Sequence, residues 1–207
     1  MQLHTVPGGL KYAVNVLRNG GIVAFPTDTV YGLAANIMNP KAVLRVYHVK
    51  RRPLFMPLPV LISEMDELDQ VATDISDSAL ALANQFWPGA LTLILKASRQ
   101  IPTIVTGGTD TVAVRLPDHT VPRTLVAGLG CAITGTSANL NGQSEPITGE
   151  GVYRSLGNQV DYIIDDSNTA HGKPSTILDL SGLTPRLLRQ GVISLEEIND
   201  VCGATSI

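Results

Sequence analysis

The sequence predicts a single α/β domain with a mixed β-sheet and an aliphatic core. Short apolar runs of strand character alternate with amphipathic helical patterns along almost the whole chain. The 207 residues are 44% hydrophobic and only 16% charged, so a substantial core is expected and intrinsic disorder is excluded. Aromatic residues make up only 4% of the chain, so we expect aliphatic side chains to form that core.

In the first half of the chain, apolar spacing and helix terminators delimit each predicted element. Gly20 and Gly21 end the first helix, and Pro26 stops the strand that follows it. Pro40 lies in the first turn of the second helix, where the fixed φ of proline is favourable. In chain order the elements are helix 11–19, strand 21–25, helix 40–50, strand 58–62, a helix capped by Ser63, and helix 76–86.

In the second half, strand 111–116 has the plainest alternation, with Val112 and Val114 on one face and Ala113 and Arg115 on the other. The elements are strands 90–96 and 111–116, a helix containing Leu125 and Val126, strand 131–134, a helix containing Tyr153, strands 160–164, 176–180 and 186–188, and a helix capped by Ser194. The chain contains neither an internal repeat nor an obvious linker.

Several functional classes are excluded by composition and motif. A net charge of −3 gives no overall attraction to nucleic acid or membranes, so a site for a polyanion must be local. The longest apolar runs are too short to span a bilayer, and residues 1–9 lack a leader pattern, so we expect a cytoplasmic protein. The four histidines and two cysteines show no metal-ligand spacing, so we expect no protein-only metal site. The P-loop, the Gly-x-Gly-x-x-Gly fingerprint and the nucleophile elbow are missing from the sequence.

Polar loops at strand ends are the candidate site. Thr27 follows a buried strand, where its hydroxyl could serve a ligand or satisfy a turn. Lys50 and Arg52 flank a helix end before Pro53, so we expect both to face solvent or a ligand. Lysine as a point charge and arginine as a bidentate fork suit a phosphate chain, and a solvated basic turn is the alternative.

Further polar residues follow later strands. Arg115 ends an apolar strand, where its charge must meet either a ligand or a structural carboxylate. Ser137 and Asn139 lie on a tight loop whose backbone N–H groups could bind an anion. The segments that contain Ser175 and Arg189 indicate no function when each is considered alone. Together, hydroxyls, amides and cations without a nucleophile indicate nucleotide chemistry by positioning and charge neutralisation.

The same loops carry a resemblance to the YrdC-domain family, which extends in order from about Gly20 to Gly191. Six motifs in register make the resemblance specific. They are the segments 26–33 (PTDTVYGL), 50–53 (KRRP), 86–92 (FWPGALT), 111–117 (TVAVRLP), 137–139 (SAN) and 188–191 (LRQG). The resemblance implies a twisted mixed β-sheet flanked by helices, with a large basic concave cleft. It implies a YrdC-like domain over residues 5–195, with a C-terminal helix and tail over 196–207.

The resemblance also implies an activity: a nucleotidyltransferase that makes threonylcarbamoyl-adenylate and pyrophosphate from L-threonine, bicarbonate and ATP. The product serves the threonylcarbamoyl modification of adenosine 37 in tRNA, so tRNA threonylcarbamoyl transferase proteins are the implied downstream partners. Mg²⁺ is expected to arrive bound to ATP. By position, Thr27, Arg115 and Ser175 are implied to bind threonine, and Lys50 and Arg52 to act in catalysis. The ATP-binding residues implied are Lys50, Arg52, Thr111, Ser137, Asn139 and Arg189.

The sequence departs from the family pattern at three places. Leu61 takes the place of a usual histidine, Met56 precedes Pro57 where the family has asparagine, and Pro174 replaces a glutamate. Two alternatives therefore stay open. One is an RNA-binding module for tRNA or double-stranded RNA that uses the same cleft, and the other is a paralogue without synthase activity.

Overall fold

Alternation of strands and helices persists through the three-dimensional structure and confirms the predicted α/β class. The computed structural model describes residues 4–5, 9–165 and 172–202. The described helices are α1 (Gly9–Arg18), α2 (Pro40–Lys50), α3 (Leu68–Val71), α4 (Asp77–Phe86), α5 (Thr103–Thr106), α6 (Thr120–Leu129), α7 (Gly149–Leu156) and α8 (Leu195–Cys202), with short 3₁₀ helices at Met65–Glu67 and Gly157–Gln159. The described strands are β1 (His4–Thr5), β2 (Val23–Phe25), β3 (Gly32–Ala34), β4 (Val60–Leu61), β5 (Ala72–Thr73), β6 (Leu91–Ala97), β7 (Thr111–Arg115), β8 (Ile133–Thr134), β9 (Thr136–Ser137), β10 (Tyr162–Asp165), β11 (Thr176–Asp179) and β12 (Arg186–Arg189).

These strands are distributed over two mixed sheets. The first has the order β1-β10-β2-β3-β9, and β10 runs parallel to both of its neighbours. The second has the order β12-β11-β6-β7-β4-β8, with β5 paired to β6 beside this path. The sheets meet at the bridge between Asn36 and Ile133. There the Thr134 hydroxyl accepts from Ala35 N at 2.9 Å and donates to Leu33 O at 2.7 Å. The strand ends of both sheets are thereby held close together.

The core is aliphatic, as the composition predicts. Its larger part lies between the two sheets and the helices α2 and α4, and a smaller part lies where α1 and α6 pack together. Three of the few aromatic residues, Tyr31, Tyr47 and Phe25, are the largest fully buried side chains. Of the helices that the structure describes, none is long and apolar enough to cross a membrane.

The structure corrects the expected elements in three segments. Gly32–Ala34 forms strand β3, which we did not expect from the sequence, because pairing with β2 and β9 buries the segment on both sides and removes any alternation. The helix expected from Ser63 is a 3₁₀ turn followed by the short α3, and the chain then enters β5. Thr103–Thr106 is helical within an expected loop. The expected C-terminal helix is α8, while residues 203–207 lie outside the described ranges.

Gly191 lies at a close approach between β12 and the segment that precedes β11. A Cβ there would collide with the Pro174 carbonyl oxygen and lie 2.5 Å from the Ser175 carbonyl carbon. These are backbone atoms, which cannot move aside as a flexible side chain can. Gly191 N also donates to the Thr176 hydroxyl at 2.9 Å, which holds the two segments in register.

We therefore expect Gly191→Ala to lower the free energy of unfolding by about 1–3 kcal/mol, the usual cost of overpacking. Gly182→Ala is the matched control, because a Cβ at Gly182 has nothing within 4 Å. Urea unfolding followed by circular dichroism measures both variants. Equal stability of the two would show that the backbone at Gly191 adjusts without cost.

Candidate functional site

A cleft of about 340 Å³ opens where the loops of the two sheets meet. Its walls come from the β2–β3 turn, the end of α2, the loop after β8, and strands β4, β6, β7, β11 and β12. Eight of the nine site residues expected from the sequence line it: Thr27, Lys50, Arg52, Arg115, Ser137, Asn139, Ser175 and Arg189. The structure thus brings together loops that are distant in sequence.

Thr27 begins the β2–β3 turn and is buried against it. Its hydroxyl donates to Val30 O at 2.7 Å, accepts from Thr29 N at 3.0 Å and lies 2.9 Å from the Thr29 hydroxyl oxygen. The turn interpretation of this residue therefore holds in the structure. Thr27 also lines the cleft, so the turn presents hydroxyl oxygens to whatever binds there.

Arg115 ends β7 and lies on the floor of the cleft. Its Nη2 donates to Asp28 Oδ1 at 2.5 Å, its Nη1 to the Thr29 hydroxyl at 2.9 Å, and its Nε to Gly89 O at 2.8 Å. The side chains of Arg115 and Asp28 are only 8% and 6% exposed, so this is a buried ion pair. Burial lowers the pKa of Arg115 while Asp28 raises it. Three of the five guanidinium N–H bonds have these partners, and the part of the chain that the structure describes provides no hydrogen-bond acceptor for the other two.

Lys50 lines the cleft, but it is buried and does not face bulk solvent. Asn39 caps the start of α2 and Arg51, at φ 51°, ends it, which places Lys50 in the last turn with its side chain inward. Its Nζ donates to Ser137 O, to Asn139 O at 2.8 Å and to Asn139 Oδ1 at 3.1 Å. Burial, and secondarily the charge of Arg52, lower the pKa of Lys50 to about 7, while Glu145 acts to raise it.

Arg52 is half-buried beyond the left-handed residue that ends α2. Its Nε donates to Met56 O at 3.1 Å and its Nη2 to Pro57 O at 2.8 Å. Its Nη1 lies 3.5 Å from Asn141 Oδ1. The guanidinium is therefore held along the loop that follows α2, with one edge toward the cleft.

The Ser137–Asn139 loop begins at the last residue of β9, and its own side chains hold it in place. The Ser137 hydroxyl donates to Asn139 Oδ1 at 2.6 Å, and Asn139 Nδ2 donates to Gln143 O at 2.6 Å. Ala138 N donates to Tyr31 O at 2.8 Å, which continues the pairing of β9 with β3. The loop is thereby rigid where it borders the cleft.

Ser175 and Arg189 form the opposite wall. The hydroxyl oxygens of Ser175 and Thr92 lie 2.8 Å apart. Arg189 Nε donates to Ser175 O at 3.0 Å and its Nη2 to the Ser175 hydroxyl at 3.2 Å. Across the cleft, Arg189 Nη1 lies 3.6 Å from Glu145 Oε1. Arg189 is thus positioned by Ser175 and paired with a carboxylate on the facing loop.

Thr111 is the one expected site residue that does not line the cleft, and its expected contact with the nucleotide stays a prediction. It begins β7, whereas Arg115 ends that strand at the cleft. Four residues of extended strand separate them by roughly 13 Å. The Thr111 hydroxyl oxygen instead lies 3.2 Å from that of Thr109.

Several residues that line the cleft were not among the site residues predicted from the sequence. Thr92 falls within the motif at 86–92, and Thr29 within that at 26–33, so both had a signal in the resemblance. Asn141 and Glu145 follow the Ser137–Asn139 motif on a loop without periodicity, and nothing local marked them. Asp28 was visible in the turn, but its pairing with Arg115 was not.

The chemistry that this cleft offers is that of anion binding. Four cationic side chains, several hydroxyls and one carboxylate line it. Within the described ranges, no three His, Cys, Asp or Glu side chains are grouped so as to hold a metal ion. The arrangement can neutralise a polyanion and orient small polar groups beside it.

Comparisons with known proteins find close relatives. A sequence family described as "Telomere recombination" (Sua5_yciO_yrdC) matches residues 15–191. The threonylcarbamoyl-AMP synthase of Pyrococcus abyssi is 40% identical over 198 residues, which cover 96% of this chain and 58% of that protein. That of Bacillus subtilis is 39% identical over 203 residues, covering 98% of this chain and 59% of that protein.

A solved structure agrees with this relationship. The structure of P. abyssi Sua5 complexed with L-threonine matches with a TM-score of 0.94 at 38% identity, covering 98% of this chain and 61% of that one. This chain therefore spans less than two thirds of the length of these relatives.

The buried ion pair between Arg115 and Asp28 should contribute to the stability of the fold. Asp28→Ala leaves the Arg115 charge buried without its carboxylate, and we expect a loss of about 3–5 kcal/mol in the free energy of unfolding. Glu150→Ala breaks an exposed pair with Arg154 and should change stability little. Thermal unfolding of both variants tests this. A small loss for Asp28→Ala would mean that water reaches Arg115 and compensates its charge.

Proposed function

Because the chain belongs to the Sua5–YciO–YrdC family, we propose that it synthesises threonylcarbamoyl-adenylate and pyrophosphate from L-threonine, bicarbonate and ATP. The observation that carries the proposal is the cleft itself, in which eight residues expected from the family pattern converge. The names of the relatives, threonylcarbamoyl-AMP synthases, support the same reaction. The L-threonine bound in the P. abyssi structure supports the small substrate.

The reaction needs positioning and charge neutralisation rather than a protein nucleophile. The amine of threonine adds to the carbon of bicarbonate, and loss of water gives a carbamate. A carbamate oxygen then forms a bond to the α-phosphorus of ATP as the bond to the β-phosphate oxygen breaks. Pyrophosphate leaves with the electron pair, and nearby cations stabilise the charge that moves onto it.

We assign threonine to the floor of the cleft. Two N–H bonds of Arg115 have no partner among the described residues and suit a carboxylate, and Asp28 and Thr29 hold the guanidinium in a fixed orientation. Thr27 and Ser175 line the same cleft and offer hydroxyls to the amine and hydroxyl of the substrate. Leu61 also lines it, pressed against Gly135, where a Cβ would lie 2.5 Å from Leu61 Cγ. This apolar wall suits the methyl group of threonine.

The phosphates belong with the cations around the cleft. Lys50, Arg52 and Arg189 carry the positive charge nearest to the polar loops, and Ser137 and Asn139 border the same space. Since the three N–H bonds of Lys50 already have acceptors, Lys50 acts by its charge and by holding the Ser137–Asn139 loop. ATP is taken as its Mg²⁺ complex, in which the ion shields the phosphates from one another.

The product determines which partners are needed. Threonylcarbamoyl-adenylate is a mixed anhydride and therefore labile in water, so a second protein that transfers the threonylcarbamoyl group to tRNA must follow closely. Because ATP and tRNA meet in the cytoplasm, we place the reaction there.

Pyrophosphate release provides the direct test. We expect release only when ATP, L-threonine and bicarbonate are all present, with threonylcarbamoyl-adenylate detected by mass spectrometry. Omission of L-threonine alone is the control for simple ATP hydrolysis. Release with ATP alone, or no release by folded protein with all three substrates, would refute the synthase. In the second case, RNA binding that weakens steeply with salt would favour the RNA-binding alternative.

The lowered pKa of Lys50 should make ATP affinity and stability depend on pH. Because its pKa in the folded protein is about 7, its ammonium loses charge as the pH rises through neutrality, and ATP affinity should fall between pH 6 and 8.5. A bound triphosphate favours the charged form of Lys50, so binding should take up a proton.

The same shift affects stability. In the unfolded chain Lys50 keeps its proton up to its ordinary pKa of 10.5, so the free energy of unfolding should rise with pH between about 7 and 10.5.

Calorimetric titration with ATP in two buffers of different ionisation enthalpy measures both the affinity and the proton uptake. Lys50→Met should flatten the pH dependence, whereas Lys41→Met, at an exposed position at the start of the same helix, should not. An unchanged pH profile in Lys50→Met would show that another group titrates.

A further inference from the structure

Glu145 is the one carboxylate among the described residues lining the cleft, and the reaction as outlined gives it no role. Its Oε1 lies 3.6 Å from Nη1 of Arg189, and its side chain is 25% exposed. It is also near enough to Lys50 to favour the charged form of that lysine. A negative charge therefore lies beside two of the cations that would receive the phosphates.

The backbone around Glu145 is held in place, so its carboxylate can leave the cleft only by rotation of the side chain. The next residue, Pro146, accepts from Tyr31 N at 2.9 Å. Before it, Gln143 O accepts from Asn139 Nδ2 at 2.6 Å, and Asn141 N donates to Lys50 O at 2.8 Å. These bonds attach the loop to β3 and to α2 on either side of Glu145.

The charges of the site decide what kind of anion fits. When Lys50 is protonated, as it is below its pKa of about 7, four cations line the cleft. Asp28 neutralises Arg115 and Glu145 offsets one more, so two positive charges remain uncompensated. A free triphosphate nucleotide carries about four negative charges, whereas its Mg²⁺ complex carries about two. The two positive charges of the site thus match the complexed nucleotide, whereas the free nucleotide would keep about two negative charges unbalanced.

We propose that Glu145 makes the cleft select the divalent-cation complex of the triphosphate over the free triphosphate. The inference rests on the proposed function, which assigns ATP to this cleft. The carboxylate repels bare phosphates at Arg189, and this repulsion supplies the specificity. Toward the complexed nucleotide, the same carboxylate offers the hard oxygen that Mg²⁺ prefers, and Arg189 exchanges Glu145 for a phosphate.

The test compares ATP affinity in excess Mg²⁺ with that in EDTA, by calorimetric titration of the whole chain. We expect Glu145→Gln, which keeps size and removes charge, to bind free ATP on the order of tenfold more tightly than the wild-type chain does. The gain in affinity from Mg²⁺ should shrink by a similar factor. Glu150→Gln is the matched control, because Glu150 lies on the neighbouring helix, pairs with Arg154 and does not line the cleft.

The outcomes separate this inference from the proposed function. If Glu145→Gln leaves the ratio of ATP affinity in Mg²⁺ to that in EDTA unchanged, the inference is overturned. If the ratio is unchanged and the melting temperature falls, Glu145 belongs to a structural ion pair. Failure of the wild-type chain to bind ATP under either condition would overturn both proposals. The inference is supported if the ratio of the two ATP affinities falls in Glu145→Gln and stays at the wild-type value in Glu150→Gln.

Discussion

The buried ion pair between Arg115 and Asp28 joins the two sheets, and the floor of the cleft depends on it. Arg115 ends a strand of the second sheet, and Asp28 lies in the turn after β2 of the first. A guanidinium withdrawn from water must be compensated by a carboxylate and by hydrogen-bond acceptors, or the fold loses several kcal/mol. Asp28, Thr29 and the Gly89 carbonyl supply that compensation, so one arginine sets the distance between the β2–β3 turn and β7.

Lys50 acts in the same way on the other side of the cleft. Its ammonium joins the end of α2 to the Ser137–Asn139 loop through two carbonyl oxygens and one amide oxygen. The cations of this cleft are therefore held in fixed positions by the protein itself before a ligand binds. Such preorganisation suits a reaction in which charge moves from one phosphate oxygen to another, because no rearrangement is needed as the charge develops.

The balance of charge in the cleft is as informative as the presence of cations. Glu145 and Asp28 offset part of the positive charge of four basic side chains, and they do so in different ways. Asp28 lies below the floor and orients an arginine, whereas Glu145 lies within the cleft and competes for one. The first carboxylate stabilises the site, and the second is the one to which we assign the choice between free and complexed nucleotide.

The sequence by itself determined the α/β class, the aliphatic core and most of the strands and helices, because these depend on local spacing and on prolines and glycines at their ends. It also identified most of the cleft, since each motif is a short segment at the end of a strand. Only the tertiary structure decided that 32–34 is a strand, that Lys50 is buried, that Thr111 lies at the far end of β7 and that Glu145 faces Arg189. The reason is the range of the contacts. Arg115 and Asp28 are 87 residues apart, and Lys50 and Asn139 are 89 apart. A local pattern shows that a cation is present, but its partners depend on how the two sheets pack together.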